Sequence, residues 1–191
     1  MKKTILSALV CAMLLAAMFC LTGCGENGGT QNNNQATEKK SKGNYDVFGC
    51  MEKLEPTMTL EKVNEVIGFE GTLKSDTESY KVYNWELTDK TSITVQFHTK
   101  LNTATITANY PNEMVENKAD FSKWDEVKAK INKREDITYD QFVAYMGGVQ
   151  GKIDKKTSSD VSYKWINAQG GYLSAYFDPK TNKCKMATGR F

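Results

Sequence analysis

The chain has 191 residues, 40% hydrophobic and 25% charged. That composition excludes a collagen-like, wholly disordered or multi-span membrane chain. The formal charge of +2 comes from 25 Lys+Arg against 23 Asp+Glu. Two of the lysines, Lys2 and Lys3, lie in a leader expected to be removed, so the mature chain is near neutral and bulk attraction to nucleic acid or an anionic membrane is excluded. The single histidine, His98, excludes a histidine-rich metal cage.

Residues 1–23 read as a secretory leader. A basic Met1-Lys2-Lys3 start is followed by an apolar or small stretch from Thr4 to Leu21, and then by Leu21-Thr22-Gly23-Cys24. That end resembles a bacterial lipobox. The resemblance implies cleavage before Cys24 and acylation of its thiol, with the lipid bilayer as one partner and the extracytoplasmic face of the cell membrane as the location. Two acyl chains anchor stably where one does not. Residues 24–44 read as a disordered tether, because Glu26 to Gln35 and Glu38 to Gly43 offer nothing apolar to bury. A flexible segment of that length spans roughly 25 Å.

The remaining chain repeats itself. Thr59-Leu60-Glu61-Lys62-Val63 aligns with Thr138-Tyr139-Asp140-Gln141-Phe142, and Gly68 with Gly147, at an offset of 79. After one inserted residue the offset is 80, and it aligns Gly71 with Gly151, Tyr83 with Tyr163, Trp85 with Trp165 and Phe97 with Phe177. Two units are therefore expected, residues 45–118 and 119–191. Each is too small to be comfortable alone, so a shared core is expected.

Each unit opens with two helices. Phe48, Met51 and Leu54, then Trp124, Val127 and Ile131, have helical spacing. The second helix of each unit has Thr59 or Thr138 as N-cap, Glu61 or Asp140 in its first turn, an apolar face (Val63, Val66 and Ile67; Phe142, Tyr145 and Met146) and a stop at Gly68 or Gly147. Strands follow with period two. The inward set is Tyr83, Trp85, Leu87, Ile93, Val95 and Phe97 in the first unit. In the second it is Val161, Tyr163, Trp165, Leu173, Ala175, Phe177, Cys184 and Met186. Helices before strands, with one apolar sheet face, give an α+β class with an antiparallel sheet covered on one side.

The outward set carries the candidate binding residues. In the first unit these are Asn84, Glu86, Thr94, Gln96, His98 and the threonines 103, 105 and 107. In the second they are Lys164, Ile166, Tyr172, Ser174, Tyr176 and Lys185. Amides, hydroxyls and tyrosines suit an adaptable protein-binding surface, and they equally suit a plain solvated sheet face.

The plan of two helix-helix-meander units resembles the beta-lactamase inhibitory protein family. Met58-Thr59-Leu60-Glu61-Lys62-Val63 through Gly68 is similar to that family's helix signature, and it recurs degenerately from Ile137-Thr138 to Gly147. Tyr83-Asn84-Trp85 and Tyr163-Lys164-Trp165 look like a strand motif of Firmicutes lipoproteins of unassigned function. The resemblance implies one concave antiparallel sheet with helices on the convex face. It also implies clasping of a protein by the concave face and by two hairpin loops, Thr88–Thr91 and Asn167–Gly171. Asp89 falls near an acid of the inhibitor's first loop. Ala168-Gln169-Gly170-Gly171 replaces a bulky aromatic of its second loop, with Tyr172 just beyond, and the inhibitor's cysteine pairs are absent. Fold therefore carries over further than inhibition does.

Catalytic constellations are not found. There is no second ligand at metal spacing from His98, no Gly-x-Ser-x-Gly and no phosphate loop. Glu135-Asp136 reads as a solvated connection. Cys50 and Cys184 remain after processing, either bridged or as buried thiols. The expectation is a non-enzymatic, tethered module with no cofactor, partner-binding through Asn84, Asp89, Gln96, His98, Lys164, Tyr172, Tyr176 and Lys185 toward an extracytoplasmic protein. An envelope scaffolding lipoprotein and a small-ligand or cell-wall-fragment binder are the alternatives.

Overall fold

A computed structural model describes residues 45–191. The leader, Cys24 and the tether lie outside the described residues. The elements run α1 (Val47–Lys53), α2 (Leu60–Ile67), β1 (Thr72–Asp76), β2 (Tyr80–Glu86), β3 (Ser92–His98) and β4 (Thr103–Asn109). A single 3₁₀ turn, Asn112–Met114, precedes α3 (Trp124–Asn132), α4 (Tyr139–Tyr145), β5 (Lys152–Lys156), β6 (Val161–Ile166), β7 (Tyr172–Phe177) and β8 (Cys184–Arg190). The class is α+β. All eight strands form one open antiparallel sheet in the order β1 to β8, and the four helices belong to the cores on one of its faces.

The local signals act as the sequence suggests. The Thr59 hydroxyl accepts from Lys62 N–H and the Thr138 hydroxyl from Gln141 N–H; Gln141 also reaches back to Thr138 N–H, completing a capping box. Helix α2 ends on Gly68 at φ 93°, a conformation that only glycine adopts freely. The second helix ends through two left-handed glycines, Gly147 and Gly148, so the extra residue between the two units falls at this stop.

Two cores, rather than the one shared core expected, lie side by side under the sheet. Val47, Met51, Leu54, Val63 and Ile67 pack on Trp85, Ile93, Val95 and Ile106. Val127, Phe142 and Met146 pack on Trp165, Leu173, Ala175 and Phe177. Trp85 and Trp165 are wholly buried. The Trp85 indole N–H donates to Phe69 O at 3.1 Å, and the Trp165 indole N–H to Val149 O at 2.8 Å. Both acceptors precede their tryptophan by sixteen residues. Asn102 and Asn182, at φ 49° and 57°, turn the last hairpin of each half.

The structure departs from the sequence reading in the strands at the start of each meander and in the last strand. Strands β1 and β5 were not expected. Each carries a register shift, between Leu73 and Ser75 and between Ile153 and Lys155, which destroys the two-residue alternation that would reveal it. The pairing of Cys184 and Met186 on the inward face is corrected by a third shift. Cys184 faces Phe177, but Met186 faces Tyr176 and lies on the open face, 53% exposed. Edge strands β1 and β8 thus both carry a lysine at an irregularity, Lys74 and Lys185, which discourages edge-to-edge pairing.

Candidate functional site: the open face of the sheet

Register fixes which side chains share the face opposite the helices. In the first half, Val82 faces Gln96, Asn84 faces Thr94, and His98 faces Tyr80 and Thr103. In the second half, Lys164 faces Ser174, Ile166 faces Tyr172, and Tyr176 lies between Ser162 and Met186. Arg190 continues the row beside Tyr172.

The first half is a lattice of polar contacts. The Thr94 hydroxyl donates to Asn84 Oδ1 at 3.0 Å, the Asn109 amide donates to Ser92 Oγ at 3.3 Å, and His98 Nε2 is 3.3 Å from Thr105 Oγ1. These groups satisfy one another, and all but the exposed Asn109 are half-buried. Such a surface stays wet and exchanges its water bonds readily.

The second half carries the larger side chains. Tyr172 and Met186 are exposed, and Tyr176 stands between Ser162 and Met186. The Lys164 ammonium lies 5.6 Å from the Tyr172 ring centre and 5.1 Å from that of Tyr110, within cation–π range. Burial pulls the Lys164 ammonium down from its ordinary value, and Asp154 partly offsets this. Ile166 was expected on this surface. Its register agrees, yet it is wholly buried, because the segment between the halves passes here: Ala119 N–H donates to Ile166 O at 2.8 Å and the Asn112 amide reaches Gly170 O.

Of the remaining expected residues, Asp89 lies exposed in the β2–β3 hairpin, beyond Glu86 and Ser92. Lys185 lies at the opposite end of the strands, held by Asp160 at 3.0 Å, Asp178 at 3.2 Å and Ser159 O at 2.7 Å. The structure therefore gathers Asn84, Gln96 and His98 on one half of the face and Lys164, Tyr172 and Tyr176 on the other, and puts Asp89 and Lys185 at opposite rims. The Asn167 side chain holds the second hairpin, accepting from Gln169 N–H and Gly171 N–H.

Sequence reasoning missed a polar cluster where the halves meet. Tyr110 Oη, Asp154 Oδ1 and Ser162 Oγ are buried without a hydrogen-bond partner in the protein. Asp154 sits at the β5 irregularity, among Tyr110, Ser162, Lys164 and Lys155. Burial holds its carboxyl above the usual carboxylate range, against the opposing pull of the Lys164 ammonium. The same burial, with Asp154 nearby, pushes the Tyr110 phenol up. The fold thus prefers protonated Asp154. The penalty is absent below the carboxyl's ordinary value and complete above its raised one, so stability falls as pH rises between them. Asp154→Asn is expected to raise Tm at pH 7 by roughly 2–4 °C, the response of a chain this size to about 1 kcal/mol, and to leave it unchanged near pH 3. Thermal melts at both pH values check this, and an equal shift at both would contradict the assignment.

Cys50 in α1 and Cys184 in β8 are free and belong to different cores. Burial raises both thiols, Cys184 to about 11, so neither supplies a thiolate near neutrality. Among the described residues no group of three His, Cys, Asp or Glu side chains is placed to hold a metal ion, and no helix is long and apolar enough to cross a membrane. No family model, curated protein or solved structure matches this chain.

Proposed function

We propose that this protein is a lipid-anchored, extracytoplasmic binding module that grips another protein through the open face of its sheet and carries out no chemistry itself. The observation that carries the proposal is the row formed by Tyr172, Tyr176 and Met186 on a sheet face without helices, with Tyr172 36% and Met186 53% exposed. Large amphipathic side chains on a rigid strand lose little entropy when a partner covers them, and Tyr is a frequent anchor at interfaces. The polar lattice around Asn84, Gln96 and His98 supplies a rim.

In this reading the fold is a tandem duplication whose two units share one concave sheet, as the resemblance to the beta-lactamase inhibitory proteins implies. Supporting it are the paired Thr caps, the matching indole–carbonyl bonds, the equivalent strand irregularities and the two left-handed asparagines, all at the offset seen in the sequence. Anchoring through Cys24 rests on the lipobox. The tether would let the face reach a partner roughly 25 Å from the membrane.

A photo-crosslinking residue placed at Tyr176 in the full, acylated chain tests the proposal in the native envelope. Discrete protein adducts are expected at Tyr176, and none from the same probe at Glu61 on the helical side. Tyr172→Ala should abolish capture, whereas Asn84→Ala should leave Tm within about 1 °C. Equal adducts from both probes, or none from Tyr176, would overturn the reading.

A further inference from the structure

A cleft lies off the sheet face, where the segment between the halves passes the β6–β7 hairpin. Its volume is about 700 Å³. One wall is aromatic. The Phe121 and Phe191 rings are 5.1 Å apart at 59°, and Trp124 meets Phe191 at 6.2 Å and 70°. Rings set at such angles make a corner rather than a flat platform. A corner fits a compact, near-spherical group, whereas a sugar ring stacks on one broad face. The carboxylates Asp120 and Asp125 also line the cleft.

Charge selects the sign of the ligand. Neither carboxylate has an ion-pair partner within 4 Å among the described residues. Hydrogen bonds from Ser122 N–H at 2.8 Å and from its hydroxyl at 2.9 Å hold Asp120 ionised, below its ordinary value, with Lys123 a lesser influence. The lysine in the lining, Lys118, turns its ammonium to Val115 O. That lysine's positive charge and the roughly half charge at the N-terminal end of α3 leave the two carboxylates about half a charge in excess. Aromatic faces together with a small excess of carboxylate charge attract organic cations.

We propose that this cleft binds an alkylammonium group, seated in the Phe121–Trp124–Phe191 corner and balanced by Asp125 and Asp120. Two sources present that chemistry: a quaternary headgroup such as choline, and a lysine-type primary amine. The site does not depend on the protein-binding face.

Trp85 and Trp165 are wholly buried and Trp124 is half-buried, so tryptophan fluorescence reports on the cleft. Choline chloride and n-butylammonium chloride are titrated at constant ionic strength against 3,3-dimethylbutan-1-ol, the uncharged counterpart of choline. Saturable quenching by at least one cation is expected, with the alcohol at least tenfold weaker, the factor that about 1.4 kcal/mol of cation–π and charge attraction supplies. Tighter choline assigns the headgroup, and tighter butylammonium the lysine-type amine. Asp125→Asn and Phe191→Ala should each weaken binding about three- to tenfold with Tm nearly unchanged. Absence of saturation by 100 mM of either cation, equal affinity for cation and alcohol, or parental affinity in Asp125→Asn would each overturn the proposal.

Discussion

Gly71→Ala is expected to destabilise the protein by about 3 kcal/mol, and Gly151→Ala by about 2 kcal/mol. A methyl group built at Gly71 would stand 2.5 Å from Trp85 Cζ2 and closer still to Cε2. At Gly151 it would stand 2.8 Å from Trp165 Cε2 and Cζ2 and 2.9 Å from Tyr163 Cβ. Neither glycine is required for its backbone angles; both are required for space. Each indole is wholly buried, and its N–H is tied to a carbonyl two residues before the glycine, Phe69 O or Val149 O. The ring therefore cannot swing away without losing that bond, and an unpaired buried indole adds to the cost. Trp85 is tied twice, since Asn64 Oδ1 accepts from its indole at 3.1 Å and from Gly71 N–H at 3.1 Å. The aligned position in the second half is Val143, so Trp165 lacks that second tie and has more room to yield. Urea titrations of both variants check the magnitudes. Losses under 0.5 kcal/mol would show that the indoles are not fixed as described.

That pair of sites also shows what the sequence makes legible. Glycine at 71 and 151, fourteen residues before a tryptophan, is visible as a repeat. The alternation of Trp85, Ile93, Val95, Trp165, Leu173 and Phe177 reveals the buried face because one apolar side chain in two is a local signal. Strands β1 and β5 are invisible for the converse reason. Thr72-Leu73-Lys74-Ser75-Asp76 and Lys152-Ile153-Asp154-Lys155-Lys156 are polar and carry an extra residue, so no two-residue period survives. Their strand character comes from pairing with the next strand of each hairpin, β2 or β6, and for β5 also with β4 across the junction. Met186 is misplaced by a single irregularity, because one extra residue turns every later side chain to the other face. In the candidate site, the tyrosines were legible as members of an alternation. Asp154, Tyr110 and Ser162 were not, since only the junction of the halves brings them together. The cleft beside Trp124 was likewise hidden, being built from three segments with no common period.

The junction itself depends on a side chain that reads in sequence as an ordinary surface charge. Strands β4 and β5 share only two register pairs, Ile106 with Lys156 and Thr107 with Lys155, where β2–β3 and β3–β4 share seven each. Lys156 supplements that short ladder. Its side chain is 7% exposed, and its ammonium donates to Leu54 O at 2.8 Å, Glu55 Oε1 at 3.0 Å and Glu52 O at 3.3 Å, all at the end of α1 in the other half. A buried ammonium is tolerable because its donors are all used and the carbonyl end of a helix favours a cation. The aligned position in the first half, Asp76, lies on edge strand β1 and pairs in solvent with Lys81 at 3.1 Å. The same strand site thus carries an acid at the free edge and a lysine at the seam. Lys156→Met keeps the apolar stem, removes the donors and leaves Leu54 O buried without a partner. The expected loss is about 2–3 kcal/mol, or roughly 6–9 °C in Tm. Glu55→Gln, at a side chain 56% exposed, should cost less than about 0.5 kcal/mol. Hydrogen exchange provides the sharper measurement. In Lys156→Met the amide of Ile106, which points toward β5, should lose protection ahead of those in β2–β3 and β6–β7, because the shortest ladder opens first. Uniform loss of protection across all eight strands, or a stability change as small as that of Glu55→Gln, would show that Lys156 does not hold the two halves together.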